Sequence, residues 1–235
     1  MQDEVTKHAK KIYKTAKDPQ HTFGEKVKDI IIEICIIVFA VTLSIWLHSW
    51  SEHRQEQKEA AEFLKGLKGD LYKDIKLLEA NKNSIARINS NFKFILSLKN
   101  DHKTGTLKDT AIYDHLEFST PVSHLNIGRY DGFKSSGKIG TIENDSLKEN
   151  ILVFYQQTLP ELGYSENFIN SLQLKILDLE IDKSDKTPIR DFVTTVKLRS
   201  LFGLGVHNSE VSIKEYEWAL KQAKKIIEEI DKEAK

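Results

Sequence analysis

The sequence predicts an all-α protein: one transmembrane helix leading into a long amphipathic helix and an antiparallel helical bundle. Three observations carry that expectation. Apolar residues fill Ile30 to Leu47, a run long enough as helix to match the hydrocarbon core of a bilayer. Two apolar rows then repeat every seven positions between Leu64 and Ile95, the period of a helical seam. Beyond them no alternating run marks a β-sheet, and 4 Pro and 11 Gly in 235 residues favour helices over a loop-rich β fold.

The membrane segment reads IIIEICIIVFAVTLSIWL, with Glu33 its one charge. The stretch between Lys28 and His48 spans about 28 Å as helix, against a core of roughly 30 Å. Lys26 and Lys28 at one end and Trp46 and Trp50 at the other are boundary anchors. A buried core helix would rarely carry charged runs directly against both ends. A cleaved signal peptide would need an n-region of nearly thirty residues, and no small-x-small site follows cleanly. Cys35 follows Glu33-Ile34, so a lipoprotein box fails too. The reading is an uncleaved anchor, with a basic arm over 1–28, a transmembrane helix over 29–50 and a helical extramembrane domain over 51–235. Lysines at 7, 10, 11, 14, 17, 26 and 28 outnumber those just past the span. By the positive-inside rule the N-terminus is cytoplasmic and the domain lies outside a bacterial cytoplasmic (inner) membrane, in the periplasm. The arm itself, with lysines around Ile12 and Tyr13, either lies on anionic headgroups or is a solvated tail that sets topology.

Within the span, Glu33, Ile37, Ala40, Ser44 and His48 recur at three- and four-residue spacing and share one face. Ile36, Phe39, Leu43 and Ile45 make the opposite side bulky. Small residues let a second helix approach, and a polar membrane residue seeks a protein partner. This face is expected to dock another membrane protein or the chain's own copy, with Glu33 paired to a polar or basic group. The alternative is that Glu33 reaches up to the headgroups.

The long amphipathic helix carries Leu64, Leu71, Leu78, Ile85 and Phe92 on one row and Leu67, Asp74, Asn81, Ile88 and Ile95 on the other. Asp74 and Asn81 interrupt the seam at its centre and need water or polar partners. Such a seam forms a coiled-coil dimer or packs inside the protein's own bundle; further helices follow, which favours the bundle. Leu107 to Phe118 is a short candidate. Ser146 to Asp182 holds Leu147, Ile151, Phe154, Phe168, Leu172, Ile176 and Leu179, with Pro160 and Gly163 expected to kink or split it. Ile189 to Phe202 precedes Gly203 and Gly205, which suit a helix stop. The last helix would open at Ser212-Ile-Lys-Glu215, a capping box, and continue through Ile213, Tyr216, Leu220, Ala223, Ile227 and Ile230.

Composition narrows function by exclusion. Lys+Arg and Asp+Glu are both 35, and a zero net charge argues against nucleic acid as a main ligand. The single cysteine excludes an intrachain disulfide or a thiolate cluster and leaves the compartment open. Gly132-Phe-Lys-Ser-Ser-Gly137-Lys138 has the spacing of a phosphate loop, but Ile139 stands where the Mg²⁺-binding hydroxyl belongs and no apolar strand leads in. A short helix ending at Gly137 is the expected structure, so no nucleotide is expected. The histidines, Asp114-His115 and His124 among them, make no HExxH or other metal spacing, and no GxSxG elbow is present. No catalytic residue, metal ligand or cofactor is expected.

In order along the chain stand the early membrane glutamate Glu33, the exit Trp50-Ser51-Glu52, and Leu64-x-x-Leu67-x-x-Asp70-Leu71-x-x-Asp74-Ile75. Ser135-Ser136-Gly137-Lys138, Ile142-x-Asn144-x-x-Leu147 and Tyr155 follow. This pattern resembles a family of uncharacterised single-pass membrane proteins found mainly in Bacteroidota, a domain of unknown function. The similarity spans most of Ile30 to Tyr155. Ile32 and Ser51 depart from the glycine and asparagine usual in those places. The resemblance implies anchoring and a helical domain and supplies no activity.

Two function classes stay open. One is a non-catalytic interaction protein, an accessory or scaffold subunit of a membrane protein complex. The other is a ligand-binding sensory bundle coupled to a partner membrane protein. A self-contained receptor would need a second span and an output domain. Nothing after His48 is apolar enough to cross again, which favours the first class.

Overall fold

The computed structural model describes residues 6–7, 10–13, 23–99, 109–116, 118 and 124–233. Among them the fold is all-α, with no strand. The chain divides into two compact units, Met1–Glu59 and Ala60–Lys235. Helix α1, Phe23–Ser97, contains the boundary between them.

In the first unit α1 carries the candidate membrane span. Its most apolar stretch has a mean hydropathy of 2.7, and only 6% of it is buried within the protein. A helix apolar on every side is matched to an apolar surrounding on every side. Its hydroxyls are satisfied inside the helix: Thr42 Oγ1 donates to the Val38 carbonyl and Ser44 Oγ to the Ala40 carbonyl, each at 2.8 Å.

In the second unit all ten seam positions of α1 are buried, from Leu64 (8% exposed) to Ile95 (0%), Asp74 and Asn81 included. What covers them is the chain's own bundle. Helix α7, Val196–Glu233, runs antiparallel to α1. Lys68 pairs with Asp231, Lys82 Nζ lies 3.8 Å from Glu217, and Lys93 Nζ lies 2.7 Å from Glu210. The third rod comprises α4 (Asp145–Val153), a π-helical turn (Phe154–Thr158) and α5 (Leu159–Ile181). It starts where the Asn144 side chain accepts from the Leu147 amide at 3.0 Å, an N-cap. Shorter pieces are α2 (Asp109–Tyr113), α3 (Gly128–Ser135), a 3₁₀ turn (Lys138–Thr141) and α6 (Ile189–Val193). Arg199 closes the C-terminal end of α1 by donating to the carbonyls of Leu96 and Leu98 at 3.0 and 3.1 Å, a cation on orphan helix carbonyls.

Several sequence expectations need correction. Of the helix read over Leu107–Phe118, the described residues show Asp109–Tyr113 and end it there; residues 107, 108 and 117 lie outside the described set. Pro160 does disturb the third rod, by widening the turn before it and not by splitting it. Proline has no N–H for the Gln156 carbonyl, and the Leu159 amide bonds back to Phe154, an i to i−5 step. Gly163 causes no break. Beyond the wide turn Leu172 and Ile176 are buried as expected, but Ile169 takes the fully buried place expected of Phe168, which is 44% exposed.

The larger correction concerns the end of the chain. No helix stops at Gly203 or Gly205, and Ser212 caps nothing. Instead α6 ends at Thr194, whose hydroxyl bonds the Arg190 carbonyl at 2.9 Å. Helix α7 then runs through both glycines from Val196, and Leu198 N donates to Thr195 Oγ1 at 3.5 Å. Gly205 lacks a side chain for packing reasons. A Cβ there would stand 2.4 Å from two carbons of the Phe92 ring, so α1 and α7 approach through it.

Candidate functional site

The span contributes the first group of residues. Glu33 is only 6% exposed. It is met by the arm: Lys11 Nζ donates to Glu33 Oε2 at 3.0 Å while the Lys11 side chain itself is 69% exposed. The chain thus offers its own basic residue to the glutamate of the candidate span, a pairing across 22 positions that local spacing does not reveal. Along the same face Ile37 and Ser44 are half-buried, and Ala40 and His48 are exposed. His48 Nε2 lies 3.2 Å from Glu52. Phe39 and Ile45 on the bulky side are 66% and 61% exposed. Trp46 and Trp50 stand out from the helix, Arg54 lies over the Trp50 ring at 4.8 Å, and Lys28 is exposed. The Lys26 side chain lies outside the described residues.

A second group forms in the bundle and gathers residues that the sequence reading left apart. Asp70 and Asp74 sit one turn apart on α1. Asp74 Oδ1 accepts from the backbone N–H of Asn126 at 3.0 Å and from its side-chain amide at 2.6 Å. Arg129 Nε donates to Asp70 Oδ2 at 2.7 Å. The guanidinium lies so close along α1 that a Cβ on Gly66 would stand 2.3 Å from Arg129 Nη1. Tyr130 of α3 stacks on Tyr155 of the π turn, ring centroids 4.4 Å apart, and Gln156 Nε2 donates to the Tyr130 hydroxyl at 2.5 Å. The widened turn therefore places two neighbours, Tyr155 and Gln156, on one partner.

Two atoms of this cluster are buried without a partner: Asp74 Oδ2 and the Tyr155 hydroxyl. Burial pushes the Asp74 carboxyl above its ordinary range, outweighing the two bonds from Asn126. Burial first, then the charges of Asp74 and Asp70, pushes the Tyr155 phenol up. A carboxyl that resists ionisation beside a phenol that holds its proton is suited to hydrogen bonding and not to nucleophilic attack. The signal for the cluster was in hand: Asp70, Asp74 and Tyr155 are residues on which the family resemblance rests, and the fold brings them together.

Other motifs resolve into structure. Gly132 lies inside α3, and Gly137 (φ +75°) ends it with its amide on the Lys134 carbonyl at 2.9 Å. The phosphate-loop spacing is therefore a helix and its left-handed stop. The His115 ring stacks on Phe94 at 3.8 Å, with Nδ1 2.8 Å from the Ala111 carbonyl, and His124 is exposed. Among the described residues no group of three His, Cys, Asp or Glu is placed to hold a metal ion.

Comparison with known proteins adds one finding. The model of a family of unknown function, DUF6090, matches residues 33–197, a range that begins at the buried glutamate and takes in the whole Asp70–Tyr155 cluster. No curated protein and no solved structure matches the chain.

Proposed function

From the premise that the chain belongs to this family of unknown function, DUF6090, we propose that it is a non-catalytic, membrane-anchored interaction protein, an accessory or scaffold subunit of a membrane protein complex. In this reading α1 crosses a bacterial cytoplasmic membrane once, with the arm cytoplasmic and the bundle periplasmic. Its span docks a helix of another membrane protein or of a second copy. The observation that carries the reading is a strongly apolar helix, 6% buried at its most apolar stretch, that holds small residues and one buried carboxylate on a single face. Lipid satisfies the apolar surface, but it gives nothing to a glutamate. Lys11 supplies that charge near the cytoplasmic edge, which leaves Ala40 and Ser44 as the place of close helix approach.

The test is co-purification from native membranes in mild detergent, with mass spectrometry of the partner. Ala40→Leu with Ser44→Leu should abolish recovery of the partner while insertion is retained, because Leu favours the bilayer. Phe39→Ala with Leu43→Ala should do much less. Equal effects from both pairs, or none from either, would refute the docking face.

The second reading, a ligand-binding sensory bundle, draws on the unpartnered Asp74 Oδ2 and Tyr155 hydroxyl, which a small hydrogen-bonding molecule would satisfy. It predicts a bound small molecule, and no stoichiometric membrane partner, in the same purification.

A further inference from the structure

The apolar core of the bundle is interrupted at one level by polar side chains with buried atoms that make no hydrogen bond. Tyr216 of α7 donates to Glu166 of α5, which fixes the register of those antiparallel helices. Four and seven residues further along α5 stand Asn170 and Gln173. Four and seven residues back along α7 stand Ser212 and Ser209. On α1, Asn89 lies three residues before Phe92, the ring that meets Gly205. Five polar side chains from three helices therefore stand at one level, the pairs on α5 and on α7 each spanning about 4.5 Å by helical rise.

Six atoms of this layer are buried with no hydrogen-bond partner: Asn89 Oδ1, Asn170 Oδ1, Gln173 Nε2 and Oε1, Ser209 Oγ and Ser212 Oγ. Ser209 and Ser212 are 0% exposed and Gln173 2%. Serine in a helix has a local remedy, a bond to the carbonyl four residues back. Ser90, Ser171 and Ser200 on the same three helices take it, at 3.0, 2.8 and 2.9 Å. Ser209 and Ser212 do not, and their hydroxyls face the bundle interior without a partner. A buried donor or acceptor with no partner forfeits its full desolvation, and native interiors leave few of them.

We propose that this layer is an internal binding site for neutral molecules rich in hydrogen-bond donors, with water the smallest of them. The chemistry selects the class. Three carbonyl oxygens accept only, one amide nitrogen donates only, and two hydroxyls do either. The five side chains are all uncharged, which suits a neutral occupant; the carboxylates at the edge of the layer are Glu166, which accepts from Tyr216, and Glu215. About two waters, each making about three bonds, would satisfy the six atoms. A small polyol or urea-like solute has the same donors. The inference stands apart from the docking reading, since it concerns no residue of the span.

The test uses the full chain in lipid nanodiscs. Water-deuteron relaxation dispersion counts internal waters of long residence, and native mass spectrometry of the protein, purified with no added solute, detects a bound organic molecule. Comparison is with Gln173→Leu, Ser209→Ala, Ser212→Ala. Support is the loss of about two long-lived waters in the triple variant, or a neutral organic adduct present in the wild type and absent from the variant. The first outcome assigns the site to solvent and the second to a cellular solute. If the triple variant does not fold, Ser212→Ala alone serves, with one water or the adduct lost. An unchanged water count with no neutral adduct, or an ion as occupant, overturns the proposal.

Discussion

Two glycines in α7 allow a sharp experiment, because one is used for packing and the other is not. Gly205→Ala puts a methyl 2.4 Å from two carbons of the Phe92 ring. Phe92 is 5% exposed and lies 5.4 Å, centroid to centroid, from Phe202, so it has little room to retreat. Overpacking of this kind costs about 1–3 kcal/mol. Against that, alanine exceeds glycine as a helix former by about 1 kcal/mol. The net expectation is a loss of about 1 kcal/mol. Gly203→Ala meets no atom within 4 Å, so only the helix-forming gain of about 1 kcal/mol remains. Each kcal/mol moves the melting temperature by about 2–4 °C in a domain of this size. Thermal unfolding of the full chain in mild detergent, followed by helical circular dichroism, should show Gly203→Ala melting higher than wild type and Gly205→Ala lower. If both variants melt lower by similar amounts, the helix stops at this pair, since a left-handed alanine costs roughly 1–2 kcal/mol, and the continuous α7 is refuted.

Other consequences are quicker to state. Leu78, 0% exposed, should cost about 2–5 kcal/mol on replacement by Ala, whereas Leu174→Ala, at a position 58% exposed, should stay within about 0.5 kcal/mol by chemical denaturation. The folded-state pKa of Asp74 lies above the ordinary 3.8, so the native state holds this proton to higher pH than the unfolded chain does. Its contribution to stability therefore falls as pH rises from 3.8 through the folded value, and stays low above it. Asp74→Asn keeps an oxygen for Asn126 and removes that loss; it should melt higher than wild type near neutral pH, with the gap closing toward about pH 4. An unchanged gap would show that Asp74 does not titrate this way. Alkaline phosphatase fused after Lys235 should be active if the bundle is periplasmic; an inactive fusion with an active cytoplasmic reporter reverses the orientation.

What the sequence revealed follows from how local each feature is. The heptad rows of α1 were legible because burial every seven residues needs nothing beyond the helix's own period. The inner face of the third rod was legible at Leu147, Ile151 and Phe154 and again at Leu172 and Ile176, all buried; between them periodicity chose Phe168 where Ile169 is the buried residue. Gly203 and Gly205 misled because a helix stop and a close helix crossing both call for a missing side chain; only the Phe92 ring distinguishes them. Ser212 and Glu215 fit a capping box, yet the hydroxyl belongs to a polar layer assembled from three helices. The Asp70–Arg129 and Lys11–Glu33 pairs close over 59 and 22 positions, separations at which spacing on one helix says nothing.

The wide turn at Phe154–Thr158 also determines where this rod tolerates a change of length. In a plain α-helix an added residue swings everything downstream by about 100°, and the inner face would leave the core. Here the surplus residue is taken up within one turn, and Leu147 and Ile151 before it face the same core as Ile169 and Ile176 after it. Removing one residue between Phe154 and Thr158 would tighten that turn to ordinary α geometry and leave both flanks in place. A one-residue gap between relatives thus belongs in the middle of this helix and not in a loop. At that single turn, chain length and the direction of the inner face are decoupled.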